Sequence, residues 1–166
     1  YTLLKDFEER RLALSRELGW RLVEARSLMF VGQIRGLYLG DYEGSLPFLK
    51  QAEELWKDAD QRLFVYLRQA QIYAQLRQFD KAKNYLDLAE PLSLRFVQSL
   101  AKVGYELVNA ILYMKIGYLH SYMHVLEHTK KVVQIVEEEN LVSRQYRMAA
   151  ACKAAQAQLR IAHLLK

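Results

Sequence analysis

The 166-residue sequence predicts an all-α fold in which helix hairpins stack in series, an α-solenoid. Three observations carry that expectation. Helix breakers are scarce, with two prolines and seven glycines, and no run of alternating Val, Ile and Thr suggests a strand. Turn signals recur at regular intervals, in YLGDYEGS (38–45), QLRQFDKA (75–82) and MKIGYLHSY (114–122), each between two segments of helical periodicity. Small and large apolar residues return at matching places around these turns, the signature of a repeat.

Each element follows in order. A first helix, about 2–18, reads as the second half of an earlier pair. A second, about 20–39, leads into the turn at Gly40 and pairs with a third, about 42–57. Gly32 precedes Gly40 by eight residues instead of seven, so this inner helix is expected to be out of register by one. A fourth helix, about 60–76, follows KDADQRLF, where Asp58 or Asp60 would cap it. A fifth, about 79–90, is expected to stop at Pro91. The sixth and seventh, about 93–116 and 118–138, meet at Gly117, which matches Gly40 as a turn position that often needs φ > 0. An eighth spans about 141–165 and would leave an Ala-rich face open.

The middle unit, YLRQAQIYAQLRQFDKAKNYLDLAEPL, shows the pattern best: Tyr66, Ala70 and Tyr73, a turn, then Phe79, Ala82, Leu86 and Ala89. Alanines let two helices approach closely, and the aromatics fill the space that results. Ala52, Ala89 and Thr129 share one position, spaced 37 and 40 residues, and Ala13 precedes Ala52 by 39. Ser45, Ala82 and Tyr122 share another, and Ala70 and Tyr73 find counterparts in Ala110 and Tyr113. Tyr122 stands where a small residue is usual, so its contact must be repacked.

These residues resemble the tetratricopeptide repeat, whose pattern reads W-x2-L-G-x2-Y, then A-x3-F, then P. The segment LALSRELGWRLVEARSLMFVGQIRGLYLGDYEGSL looks like the longer-period variety found in LuxR/MalT-type bacterial regulators and signalling ATPases. The resemblance implies a right-handed superhelix of antiparallel hairpins in a single domain, 1–166. Helix pairs would span about 20–57, 60–90 and 93–138, between half-repeats 1–18 and 141–166, as a piece of a longer array.

Composition excludes several function classes. The 24 basic and 19 acidic residues are interspersed, and no basic block with interleaved aromatics argues for nucleic acid. No stretch of about 18 uncharged apolar residues occurs, so no membrane partner is expected. The single cysteine, Cys152, excludes an internal disulfide framework and suggests a reducing, cytoplasmic setting. It is expected to pack, buried, within its alanine run, and His163 is expected to be partly buried. No phosphate-binding Gly loop, G-x-S-x-G or H-E-x-x-H appears, and the acidic runs at 53–54 and 137–139 read as solvated faces. Neither catalysis nor a cofactor is expected.

His120, His124 and His128 recur every four residues on one helix. With Leu119, Tyr122, Leu126 and Thr129 at the packing positions, the histidines are expected to point outward as a solvated convex row. Eight residues advance a helix by about 12 Å, too far for all three to share an ion. The groove is the more informative surface. In tetratricopeptide arrays the first helix of each pair lines the concave side. The resemblance therefore implies a partner-binding groove of Phe30, Ile34 and Tyr38, then Leu67, Gln71 and Gln75, then Leu107, Ile111, Met114 and Lys115. Its central amides suit an extended peptide backbone, and its apolar rows suit side chains. Only Lys115 fits the Lys/Asn/Arg clamp with which such domains hold a terminal carboxylate, so that clamp is not expected. The expected function is a protein- or peptide-binding scaffold whose partner could be another domain of the same polypeptide. A small-ligand sensing domain of a transcriptional regulator and a self-assembly module joined through its terminal helices are the alternatives.

Overall fold

The computed structural model describes residues 1–95, 99–138 and 144–165, and among these there are helices and turns but no strand. The helices are α1 (Thr2–Glu17), α2 (Arg21–Gln33), α3 (Tyr42–Leu55), α4 (Ala59–Gln75), α5 (Phe79–Arg95), α6 (Ser99–Ile116), α7 (Leu119–Glu138) and α8 (Arg144–Leu164). A π-helical segment, Ile34–Tyr38, continues α2. The strongest packing is between chain neighbours: α1 on α2, α2 on α3, α4 on α5, α6 on α7 and α7 on α8. In addition α4 packs on α6, and α6 on α8, so these three form one row.

Short turns reverse the chain after α1, α2, α4 and α6, and their backbone is alike. Gly19, Gly40 and Gly117 have φ of 67°, 76° and 81°. Arg77 takes the same role after α4 with φ 58°, a side-chain-bearing residue where its counterparts are glycine. After α1, the Trp20 amide donates to the Ser15 carbonyl at 2.8 Å; after α4, the Gln78 amide donates to the Tyr73 carbonyl at 2.9 Å. Both bonds span five residues. The matching bond before α3, from the Asp41 amide to the Arg35 carbonyl at 2.9 Å, spans six. The extra residue seen between Gly32 and Gly40 is therefore held in the π segment, where the Leu39 amide reaches back to the Ile34 carbonyl at 3.0 Å.

The aligned small positions face the interior. Ser45, Ala82 and Tyr122 are all buried, as are Ala52, Ala89, Thr129, Ala70 and Ala110. The alignment fails in α1: Ala13 is exposed, and Glu8, Leu12 and Ser15 face inward instead. That stripe is latched to α2 by an Arg11–Glu8 ion pair at 2.8 Å and a bond from Arg11 Nε to Ser27 Oγ at 2.9 Å. One apolar cluster, including Leu12, Leu28, Leu49, Val65 and Ile72, ties α1 through α4 together. A second, including Leu63, Tyr66, Ala70, Tyr73, Leu86, Val108 and Leu112, ties α4 through α6. Each fully buried Leu or Val of this kind contributes about 1.5–3 kcal/mol.

The two prolines do not end helices. Pro91 lies inside α5, which runs on to Arg95, and Pro47 lies inside α3. Both are on the exposed face, as are Asp87 and Glu43, whose carbonyls lose their helical partners. Water can satisfy those carbonyls, so the expected break at Pro91 does not occur. Asp58 stands at the start of α4 but makes no capping bond through its side chain, and the Asp60 side chain lies outside the described residues. Asp41 does cap α3, accepting from the Gly44 amide at 3.0 Å.

Candidate functional site

The row formed by α4, α6 and α8 carries a cleft of about 370 Å³. Leu67, Gln71, Leu107 and Ile111, four of the ten expected groove residues, line it together with Phe64, Arg68, Gly104 and Tyr146. Arg68 is its chemical centre. Its Nε donates to Gln33 Oε1 at 3.0 Å and its Nη1 to Gln71 Oε1 at 3.3 Å. Among the described residues it forms no ion pair. Burial pushes its guanidinium below the usual range, with the nearby Tyr38 and Tyr146 phenols opposing the shift. A guanidinium stays charged even so. The site thus holds a half-buried cation whose bonded partners, among the described residues, are neutral amides. Such a group gains most from an anion delivered by a ligand, because a charged partner strengthens each hydrogen bond about twofold.

The other expected groove residues are distributed differently. Phe30 lines a separate cleft of about 730 Å³ with Arg11, Met29, Trp56 and Gln61, and Phe64 borders both clefts. Met114 and Lys115 line a third, of about 620 Å³. Gln75 is half-buried and lines none of the three. Tyr38 is exposed on one side, but its ring stacks on Tyr1 at 4.4 Å and its hydroxyl accepts from Gln33 at 3.3 Å. Ile34 is not a groove residue: it is 1% exposed. The π segment begins at Ile34 and alters the turn per residue there, so register carried from the other units misplaces it.

The sequence did not single out Phe64, Arg68 or Tyr146. Phe64 and Arg68 share the stripe of Leu67 and Gln71 at spacings of three and four, which was a usable signal. Tyr146 arrives from α8, and no local pattern announces that.

The histidine row is not a solvated convex strip. His128 Nδ1 bonds Glu106 Oε2 of α6 at 2.5 Å, with both side chains mostly buried. Tyr113 of α6 stacks against His124 at 4.7 Å and His128 at 5.5 Å. His120 is exposed, with its Nε2 3.0 Å from that of His124. The packing stripe of α7 runs through Ser121, Tyr122, Val125, Thr129, Val132 and Val136, while Leu119 is 41% exposed. That stripe turns the second and third histidines toward α6. Cys152 and His163 are exposed, contrary to expectation, because α8 buries Ala150 and Ala157 and leaves these two on its outer side. Glu53 is partly buried and accepts from Gln69 Nε2 at 2.9 Å, so it is not a freely solvated acid.

Among the described residues, no group of three or more His, Cys, Asp or Glu side chains could hold a metal ion, and no helix is long and apolar enough to cross a membrane. No family model, curated protein or solved structure matches the chain.

Proposed function

We propose that this chain is a non-catalytic interaction module, the sensing or scaffolding part of a larger regulatory protein. It takes a peptide or protein segment along the Arg68 cleft on α4, α6 and α8. The tetratricopeptide-like solenoid is part of the same proposal. The supporting observation is Arg68, a half-buried guanidinium whose bonds among the described residues go to Gln33 and Gln71. An acidic group on the bound segment would pair with it, while Leu67, Leu107 and Ile111 take apolar neighbours on either side. The Gln71 amide adds a bond to an extended backbone.

A displayed peptide library selected against the chain tests this. Selected peptides are expected to share an acidic residue flanked by large apolar ones. Ile111→Asp is expected to weaken them at least tenfold by placing a charge beside that acid, about 1.4 kcal/mol or more. Arg68→Met should do the same while keeping much of the packing. Peptides that bind both variants as well as the parent chain would remove this cleft from consideration.

A further inference from the structure

The third cleft shares no lining residue with the Arg68 cleft. It lies where the α4–α5 turn, the end of α6 and the face of α8 meet. Four cations from these three elements line it: Arg77, Lys115, Lys153 and Arg160. Among the described residues no carboxylate lines it, and none of the four cations forms an ion pair.

Two arguments raise this above a chance gathering of surface charge. The first is Arg77. Its φ of 58° is the left-handed conformation that its counterparts Gly40 and Gly117 adopt without strain. The chain thus places a cationic side chain where glycine would cost least, and that side chain lines the cleft. The second is the charge balance. The carboxyl ends of α4 and α6 each carry roughly −0.5 charge, which explains a cation at Lys115. They offset about one of the four positive charges and leave about three. Lys153 and Arg160 lie within α8 and answer to neither helix end.

We propose that this cleft binds an oligophosphate. A single carboxylate would bring one charge and two acceptor oxygens, too few for two guanidinium forks and two ammonium groups. A di- or triphosphate supplies several charges and enough oxygens in one small ligand. The volume of about 620 Å³ lies within the roughly 300–1,000 Å³ usual for small-ligand sites. Gln156 and Tyr122 complete the wall with neutral polar side chains.

The test is calorimetric titration of the chain with sodium tripolyphosphate at low ionic strength. Two doubly charge-reversed variants are compared, K153E/R160E in the cleft and K50E/K57E outside it. Each lowers the net charge by four, from +5 to +1, so diffuse attraction falls equally in both. K50E/K57E is expected to bind within about threefold of the parent chain, and K153E/R160E at least tenfold more weakly. Equal loss in both overturns the proposal. Should K153E/R160E fail to fold, Arg77→Gly decides: it is expected to weaken tripolyphosphate about threefold or more while melting no lower than the parent chain. Unchanged binding there overturns the proposal. ATP and adenosine identify the source of the phosphate. Binding of ATP no tighter than tripolyphosphate supports a free oligophosphate, tighter binding supports a nucleotide, and adenosine binding as well as ATP overturns the phosphate assignment. A short single-stranded oligonucleotide that binds more than about tenfold tighter than tripolyphosphate replaces the small ligand with a nucleic-acid backbone and overturns the proposal.

Discussion

The α2–α3 and α4–α5 pairs reach the same hairpin by different means. In α4–α5, Ala70 and Ala82 allow the approach, and Tyr66, Tyr73 and Tyr85 fill the gaps, with Tyr73 and Tyr85 stacked at 5.6 Å. In α2–α3, glycines take the crossing. A Cβ on Gly32 would lie 2.8 Å from Leu49 Cγ, and one on Gly36 would lie 2.3 Å from Ile72 Cδ1 and 2.9 Å from Ser45 Oγ. The first pair also contains one residue more and stores it as a π turn. A helix can therefore absorb an inserted residue at its end without changing the turn beyond it, provided nothing downstream on that helix must keep its facing.

Single-residue deletions probe that difference most severely. Removing Gln71 from α4 rotates the rest of the helix by about 100° and turns Tyr73 and Ala74 out of the core. Cooperative urea unfolding is expected to vanish. Removing Arg35 from the π segment is expected to restore a regular α-helical turn and leave a cooperative transition. A folded Gln71 deletion would mean that the helical register of α4 matters less than the packing implies.

Gly36→Ala comes next. Overpacking at a closed crossing costs about 1–3 kcal/mol. Ile72→Val removes the nearest obstructing carbon, so the double variant should recover part of that loss, with a coupling of at least about 0.5 kcal/mol by urea midpoints. Simple additivity would show that Ile72 is not the obstacle. The smallest effect concerns the turns. Arg77→Gly makes the second turn like the first and should stabilise the chain by about 0.5–1 kcal/mol in the same assay. A loss of stability would show that the Arg77 side chain is held by contacts that outweigh its backbone strain.

Much of the fold was legible because its rules are local. The turns at Gly40 and Gly117 and the buried Ala52, Ala70, Ala82 and Ala89 follow from φ preference and Cβ size. The one-residue anomaly at Gly32 was legible as a number, though not as a π turn. Pro91 misled because a proline breaks a helix only where the freed carbonyl lacks an alternative partner, and its exposure was not visible in the pattern. The site was legible in part. Leu67, Gln71, Leu107 and Ile111 do meet, whereas Ile34 is buried in the core. His128 illustrates the limit: its four-residue spacing suggested an outward row, and Glu106 on the neighbouring helix drew it inward.

By itself, the sequence determined that the chain is helical, the turns at Gly40 and Gly117 and the small residues at which helices cross, because each depends on a few neighbouring positions. Only the tertiary structure decided which side chains share a cleft. Arg68 and Tyr146 stand 78 positions apart, and Arg77 and Arg160 stand 83 apart. Their meeting depends on how α6 and α8 settle against α4, a sum of many weak apolar contacts that no short stretch of sequence contains.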